Sequence, residues 1–500
     1  MKLPSSIKNW ISITGVILAI FNLASIISLA LLNIVFNFGG SYIGLFIYII
    51  LPAFMIAGLI LIPIGMRIHR KRARIEEAKG EVRNWPVLNF NDTATRNAAT
   101  VFIFGTVFLL IISSVGSYEA FHYTESVEFC GKLCHKVMAP EYTTYHGSSH
   151  ERVACVECHV GSGASWYVKS KLSGLYQVYS VLAKKYPTPI PTPIANLRPA
   201  QETCEQCHWP EKFYDNKVKE KHSFLSDETN TERVINMRIK TSSKMTSNGY
   251  VTGIHQHINP DIRIEYKTSA QNRQEIPWVK YTNLKTGDVE IFTDSDNMLS
   301  QNQLDSLETR VMDCLDCHNR PSHNYNAPQN FTDKLMSDGV IPKTLPEIKM
   351  VAMMALNQEY PTTDSAFTAI RSQVEEYYES GYPDILTNNK SEVEQAINGI
   401  QTGYASNIFP EMKVTWKAYP NNIGHMESEG CYRCHNDRHA TESGKVISKD
   451  CNLCHNILAQ GTPDNMQYSN SMEPLEFEHP VDIDNMWKTE HCSSCHSALY

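Results

Sequence analysis

Several compositional extremes are missing from this sequence, and each absence excludes something. With 24 prolines and 25 glycines in 500 residues, usage of both is near average, which rules out collagenous or low-complexity sequence. An apolar fraction of 42% with 20% charged residues rules out disorder as the main description, and the length suits about three ordinary domains. Basic residues are few in the larger part of the chain: residues 118–500 hold 35 Lys and Arg against 49 Asp and Glu, with no basic stripe. A nucleic acid would have to bind against that field, so this class of partner is excluded. Residues 1–117 have the opposite balance, 10 Lys and Arg against 4 Asp and Glu, and the two parts account for the net charge of −8. What the chain has in unusual number is cysteine, 14, and histidine, 19.

Charge is absent from Ile11 to Phe36 and again from Tyr42 to Met66, and a third apolar run goes from Ala98 to Ser117. The first two exceed the roughly 20 residues that cross hydrocarbon. A cleaved signal peptide would not be followed, after the short turn Asn37-Phe38-Gly39-Gly40-Ser41, by a second span, so a retained hairpin is expected. The link 67–97 carries Arg67, Arg70, Lys71, Arg72, Arg74, Lys79, Arg83 and Arg96, whereas the first turn has no Lys or Arg. That bias places the link and the N-terminus in the cytoplasm and everything after Ser117 outside the bacterial inner membrane, in the periplasm. No histidine lies in any span, which removes the paired-His ligation of a membrane-embedded haem.

The cysteines fall in pairs. Cys155-Val-Glu-Cys158-His159, Cys204-Glu-Gln-Cys207-His208, Cys314-Leu-Asp-Cys317-His318, Cys431-Tyr-Arg-Cys434-His435, Cys451-Asn-Leu-Cys454-His455 and Cys492-Ser-Ser-Cys495-His496 are six CxxCH motifs. Cys130-Gly-Lys-Leu-Cys134-His135 is a wider variant that uses the last two cysteines. Random placement would give about 0.015 such motifs in a chain of this composition. Two thiols add to the two vinyl groups of one haem, and the adjacent imidazole reaches the iron from the same turn. Zinc sites would pair the motifs, and disulfides would not explain a His directly after each second Cys. Seven covalently bound haem c groups are therefore expected, at about 55 residues per haem, with the porphyrins supplying much of the apolar core.

Apart from the motif histidines and His69, eleven remain as candidates for at most seven distal positions. His150, His222, His323, His425, His439 and His479 are singled out. His439 follows His435 by four residues and His323 follows His318 by five, spacings that suit ligation of a neighbouring haem. His255 and His257, two apart in GIHQHI, share a face if that stretch is a strand. His257 is taken as the candidate ligand of the two, with a small metal site or a plain polar face as alternatives. His491 is read only as a neighbour of Cys492.

From Cys130 to about His222 the chain resembles the NapC/NirT family of membrane-anchored quinol dehydrogenases. The resemblance rests on a span shortly before the first motif, Met138 just after CH, the Ser149-His150 step, and the run Lys171-Leu-Ser-Gly174. CEQCHWPEKF, MDCLDCHNRPSH, FPEMKVTW and NIGHMESEGCYRCH are similar to a longer branch, the seven-haem inner-membrane cytochromes of the ImcH type. The resemblance implies electron transfer from menaquinol or another quinol towards periplasmic c-type cytochromes or a reductase, in anaerobic or extracellular respiration. It implies Met138 as a ligand to the first iron, although Met138 stands three after His135 where the family has it two after. Lys171 matches the family's quinol-binding Lys, and Gln177 stands where the family has an acidic residue. Glu128, His122 and Tyr142 are further candidates near the first motif.

These readings combine into a mainly α multihaem cytochrome c: three transmembrane helices and a haem-wrapped outer domain with a small β insert. The expected regions are a membrane anchor 1–117, a NapC/NirT-like haem domain 118–222 with three haems, an insert 223–313, a fourth haem with a helical region 314–430, and a three-haem region 431–500. Strands are expected at Asp261–Tyr266 and Asp288–Phe292 from their alternation, and helices from about Asn330 to Ser406, with Pro346 early in one helix and Asp364 and Ser391 as caps. The expected function is quinol oxidation at the membrane edge of the first haem, with the other haems carrying electrons away. The alternative is a terminal reductase of nitrite or hydroxylamine with one open haem.

Overall fold

The computed structural model describes residues 9–36, 50–77, 89–133, 135–161, 163–194, 198–209, 216–242, 253–269, 272–470 and 473–497. The turn 37–41, Lys79, Arg83 and Cys134 lie outside them. The chain divides into two units, Met1–His135 and Lys136–Tyr500.

In the first unit, α1 (Trp10–Phe36) and α2 (Leu51–Glu77) pack side by side. Small residues let their backbones meet: a Cβ on Gly58 would lie 2.8 Å from the amide nitrogen of Ala19 and 2.8 Å from the carbonyl oxygen of Gly15. Ser12 Oγ donates to the Ile62 carbonyl at 3.0 Å, so this buried hydroxyl is satisfied between the helices. The third apolar run forms α3 (Thr93–Glu125), with Asp92 as its N-cap, and continues two turns past the expected end at Ser117. It exposes Phe104, Phe108, Leu110 and Ile111 by more than half, a surface suited to lipid rather than water. All three helices are long and apolar enough to cross a membrane.

The larger unit mixes short helical turns, two sheets and a helical block. One sheet has the order β1 (Lys217–Phe224), β2 (Glu232–Ile239), β8 (His455–Thr462), β9 (Asn465–Tyr468), all antiparallel. The other runs β6 (Thr309–Val311), β3 (Ile262–Lys267), β4 (Trp278–Asn283), β5 (Val289–Asp294), β7 (His439–Ala440). The two alternating segments thus form strands where expected. The first sheet nevertheless takes β8 and β9, and the second takes β7, from residues after 431, so the insert is stitched into the C-terminal part by backbone hydrogen bonds.

The helical block is α5 (Pro328–Ser337), α6 (Ile348–Leu356), α7 (Thr363–Gly381) and α8 (Lys390–Asn407). Its core includes Ile348, Ile370, Val374, Tyr378, Ile397 and Ile400. The caps differ from expectation. Thr362 caps α7, its hydroxyl accepting from the Ser365 amide, and Asp364 falls in the first turn. Asn389 starts α8, one residue before Lys390, so Ser391 is already helical. Pro346 precedes α6, whose N-cap is Glu347 in the left-handed region.

Candidate haem sites

Every CxxCH motif folds as one short turn: α-helical at Cys155–His159, Cys314–Cys317, Cys451–Cys454 and Cys492–His496, and 3₁₀ at Cys204–Gln206 and Gly430–Arg433. Residues three apart in such a turn share a side, so the two thiols of each motif are presented together. The following histidine closes the turn, its amide donating to the first cysteine's carbonyl at 2.8 Å for His208, 2.7 Å for His318 and 3.0 Å for His435. None of the eleven cysteines from Cys158 onward is joined in a disulfide. Burial pushes the thiols of Cys314, Cys434 and Cys454 up to about 11 and that of Cys317 up to about 12. A catalytic cysteine needs the opposite, a lowered pKa, so these surroundings do not activate the thiols as nucleophiles.

The motif histidines do not stand alone. Ring centroids pair as His159 with His323 at 6.4 Å, His208 with His150 at 6.1 Å, and His318 with His255 at 6.3 Å. His435 pairs with His257 at 5.9 Å, His455 with His425 at 6.2 Å, and His496 with His479 at 6.3 Å. Two imidazoles on opposite sides of one metal, with metal–nitrogen distances of about 2 Å, have their centres roughly 6 Å apart. The residues present therefore fit a six-coordinate haem iron at each of these six motifs.

Hydrogen bonds from the other ring nitrogen agree with that fit. Nδ1 of His150 lies 3.2 Å from the Pro321 carbonyl, that of His323 3.1 Å from the Glu141 carbonyl, and that of His479 2.7 Å from the Val481 carbonyl. Such a bond puts the proton on Nδ1 and leaves Nε2 as the donor atom to a metal. Burial holds His159, His318, His435, His455 and His496 below the ordinary histidine range, and brings His323 and His425 down to about 4. Neutral imidazole, the ligating form, is thereby favoured.

Two expected ligands are engaged elsewhere. His222 is held between carboxylates, Nδ1 at 2.7 Å from Glu232 and Nε2 at 2.8 Å from Glu220, and these bonds raise its pKa and favour the charged ring. His439 is fully buried, with Nε2 2.7 Å from the Ile276 carbonyl and Nδ1 3.0 Å from the Asn436 side-chain oxygen. His255, not singled out from the sequence, stands 6.3 Å from His318. GIHQHI is no strand but a 3₁₀ turn, Ile254–Ile258. His491 donates to Glu429 at 2.6 Å.

A buried charge network that spacing did not reveal lies beside the fourth motif. Asp316, inside CLDC, accepts from Arg310 Nε at 2.7 Å, the Tyr266 hydroxyl at 2.7 Å and the Asp313 amide at 2.7 Å. Its carbonyl accepts from Arg433 Nη2 of the fifth motif at 2.8 Å.

The quinol-site candidates fall in both units. His122, on the last turn of α3, has its ring 4.3 Å from that of Tyr118, and Glu128 is in the first turn of Val127–Lys132. In the larger unit Met138 is half-buried and Tyr142 packs its ring 4.5 Å from His146. Lys171 and Gln177 lie on the helix Ala164–Leu182, where Lys171 Nζ is 4.9 Å from the centre of the Tyr167 ring and Gln177 Nε2 is 3.5 Å from Ser173 Oγ. That helix contains no Asp or Glu, and Val168, Leu172, Leu175, Tyr176, Tyr179 and Leu182 line it at helical spacing, between 50% and 72% exposed.

Paired thiols with an adjacent imidazole, second imidazoles at bonding distance across a metal, and membrane-spanning helices together describe a membrane-anchored multihaem cytochrome c, an electron-transfer protein. Residues 92–190 match the model of the N-terminal region of the NapC/NirT cytochrome c family, and likeness along nearly its whole length to a cytochrome c-type protein shows that the chain belongs with these cytochromes. It is 42% identical over 497 residues to the cytochrome c-type protein ImcH of Geobacter sulfurreducens, covering 99% of this chain and 96% of the relative. It is also 29% identical over 113 residues to the cytochrome c-type protein NrfH of Wolinella succinogenes, covering 22% of this chain and 63% of that protein. No solved structure matches the chain.

Proposed function

We propose that the protein oxidises membrane quinol, menaquinol or a related one, and passes the electrons through seven haem c groups to periplasmic c-type cytochromes or a reductase. The observation that carries this reading is the helix Ala164–Leu182. Its apolar stripe, with Lys169 and Lys171 on the same helix and no acid, is the pattern of a helix lying in the membrane interface. A donor that lives in lipid can reach Lys171 there. The Lys171 ammonium hydrogen-bonds a quinol hydroxyl and favours its loss of a proton, with Gln177 and Tyr142 of the same unit as candidate partners in positioning and proton release. Bound haem supplies one-electron carriers. His150, His323, His425 and His479 serve as the distal ligands at the third, second, sixth and seventh motifs, and Met138 at the first.

Paired imidazoles favour this reading over a terminal reductase, since an iron with two protein ligands offers no place for nitrite or hydroxylamine. The proposed orientation has the N-terminus and the link 67–97 in the cytoplasm and the haem domain in the periplasm. Replacing Lys171 with Leu should reduce quinol-driven haem reduction at least tenfold while dithionite still reduces every haem. Undiminished quinol-driven reduction in that variant would move the site elsewhere.

A further inference from the structure

The turn Ile254–Ile258 lies beyond the residues that match the NapC/NirT model, and it faces two motifs at once. A 3₁₀ turn advances about 120° per residue, so side chains two apart point in different directions instead of sharing a face as they would in a strand. His255 accordingly stacks against His318 of the fourth motif, its ring centroid at 6.3 Å and its plane tilted by 19°. His257 meets His435 of the fifth motif at 5.9 Å and 86°. Each ring is steered by its second nitrogen: Nδ1 of His255 lies 2.6 Å from the Thr241 carbonyl, and Nδ1 of His257 lies 2.6 Å from the Ile254 carbonyl.

We infer that this single turn supplies the sixth ligand to two different haem irons, His255 to that of Cys314–His318 and His257 to that of Cys431–His435. The inference rests on the reading of the motifs as haem attachment sites. The turn thereby fastens the fourth and fifth haems as one electron-transfer pair. It is itself pinned: the Ile254 amide donates to the Lys240 carbonyl at 2.8 Å, and the Lys240 amide donates to the Cys454 carbonyl of the sixth motif at 2.8 Å. Gly253 permits this approach. Its φ is +147°, and a Cβ there would stand 2.3 Å from the Ser242 carbonyl oxygen and 2.6 Å from that of Lys240.

The test uses the full-length membrane protein, with haem content read by intact mass and pyridine haemochrome and spin state by electron paramagnetic resonance. H255G and H257G should each keep the full haem content and convert one haem from low to high spin. The double variant should convert two, and added imidazole should restore low spin in each. G253A should disturb both haems together, whereas H222G should disturb none. If a glycine variant loses a haem, H255M and H257M keep a ligand and should each give one His/Met signature and one raised potential. Unchanged spectra in both glycine variants, or in both methionine variants, would overturn the inference while the haem content stands. A wild-type mass lacking haem at Cys314–Cys317 or Cys431–Cys434 would instead overturn the attachment reading beneath it.

Discussion

At the scale of residues, eleven spare histidines are candidate ligands, and what sorts them is whether a motif imidazole stands opposite at about 6 Å, as for His425 and His455 at 6.2 Å, or other groups take up the ring. Spacing carries no such information. His439, four residues after His435, looked well placed, yet its ring closes a hydrogen-bonded turn with Asn436 and reaches across to Ile276. H439A should therefore leave every low-spin signal intact and lower stability by about 1–3 kcal/mol, since it strips partners from buried polar groups. A new high-spin signal in H439A would reinstate it as a ligand. His222 makes a different prediction. Its carboxylate bonds raise its pKa above the unfolded value, so its contribution is fully present below the unfolded pKa of about 6.5 and fades as pH rises through the folded pKa. Melting curves of wild type and H222Q should diverge most at acid pH and converge in alkali; a constant offset would contradict the linkage. Asp316 is the costliest single site in view, because D316A would leave Arg310 in a half-buried site without its main partner. A loss of about 3 kcal/mol in denaturant melts is expected.

Among the elements, the spans were legible because hydrocarbon thickness demands a long uncharged run, and β3 and β5 because one buried face imposes alternation. β1 was not legible: in Lys217–Phe224 only Phe224 is buried, and the strand is held by pairing with β2 rather than by an apolar face. β8 was missed for the opposite reason, as its burial is not alternating. The misplaced caps reflect competition between neighbouring residues each able to cap, Thr362 against Asp364 and Asn389 against Ser391. Apolar burial is also uneven. Among the described residues of 138–223 only Pro140, Tyr145 and Ala200 are buried apolar side chains, and in 420–497 only Ile457 and Ala459, whereas 328–408 has a conventional core. Segments so poor in their own core need another source of apolar volume, which haem would supply. Protein made without haem loading should be cleaved first within 147–223 and 441–497, with a fragment spanning 328–408 outlasting them in limited proteolysis. Equal decay of all segments would count against this division.

Across the larger unit, consecutive motifs are neighbours. Arg198 joins the end of the second motif to the start of the third, reaching the Val160 carbonyl at 3.3 Å and Glu202 at 2.6 Å. The thiol of Cys314 is pushed up partly by Cys204, that of Cys317 by Cys431, that of Cys454 by Cys431 and that of Cys492 by Cys451. The fourth to seventh motifs are thus chained in sequence order from the third, and electrons entering near the membrane would leave towards the C-terminal motifs. On the proposed function those electrons would leave from an acidic domain, because the excess of 49 Asp and Glu over 35 Lys and Arg lies in residues 118–500, and haem propionates would deepen it. An acceptor with a basic docking face would be steered to such a surface across a distance of about one Debye length, 8–10 Å near physiological salt. The quinol step has an uncharged donor and no such steering. Raising the salt from 50 to 500 mM should therefore slow electron delivery to a basic soluble cytochrome several-fold while leaving quinol-driven reduction of the haems unchanged, as stopped-flow absorbance would follow for each step. Delivery rates that ignore ionic strength would mean that the acceptor docks by apolar contact, and equal slowing of both steps would place the salt effect at the membrane instead.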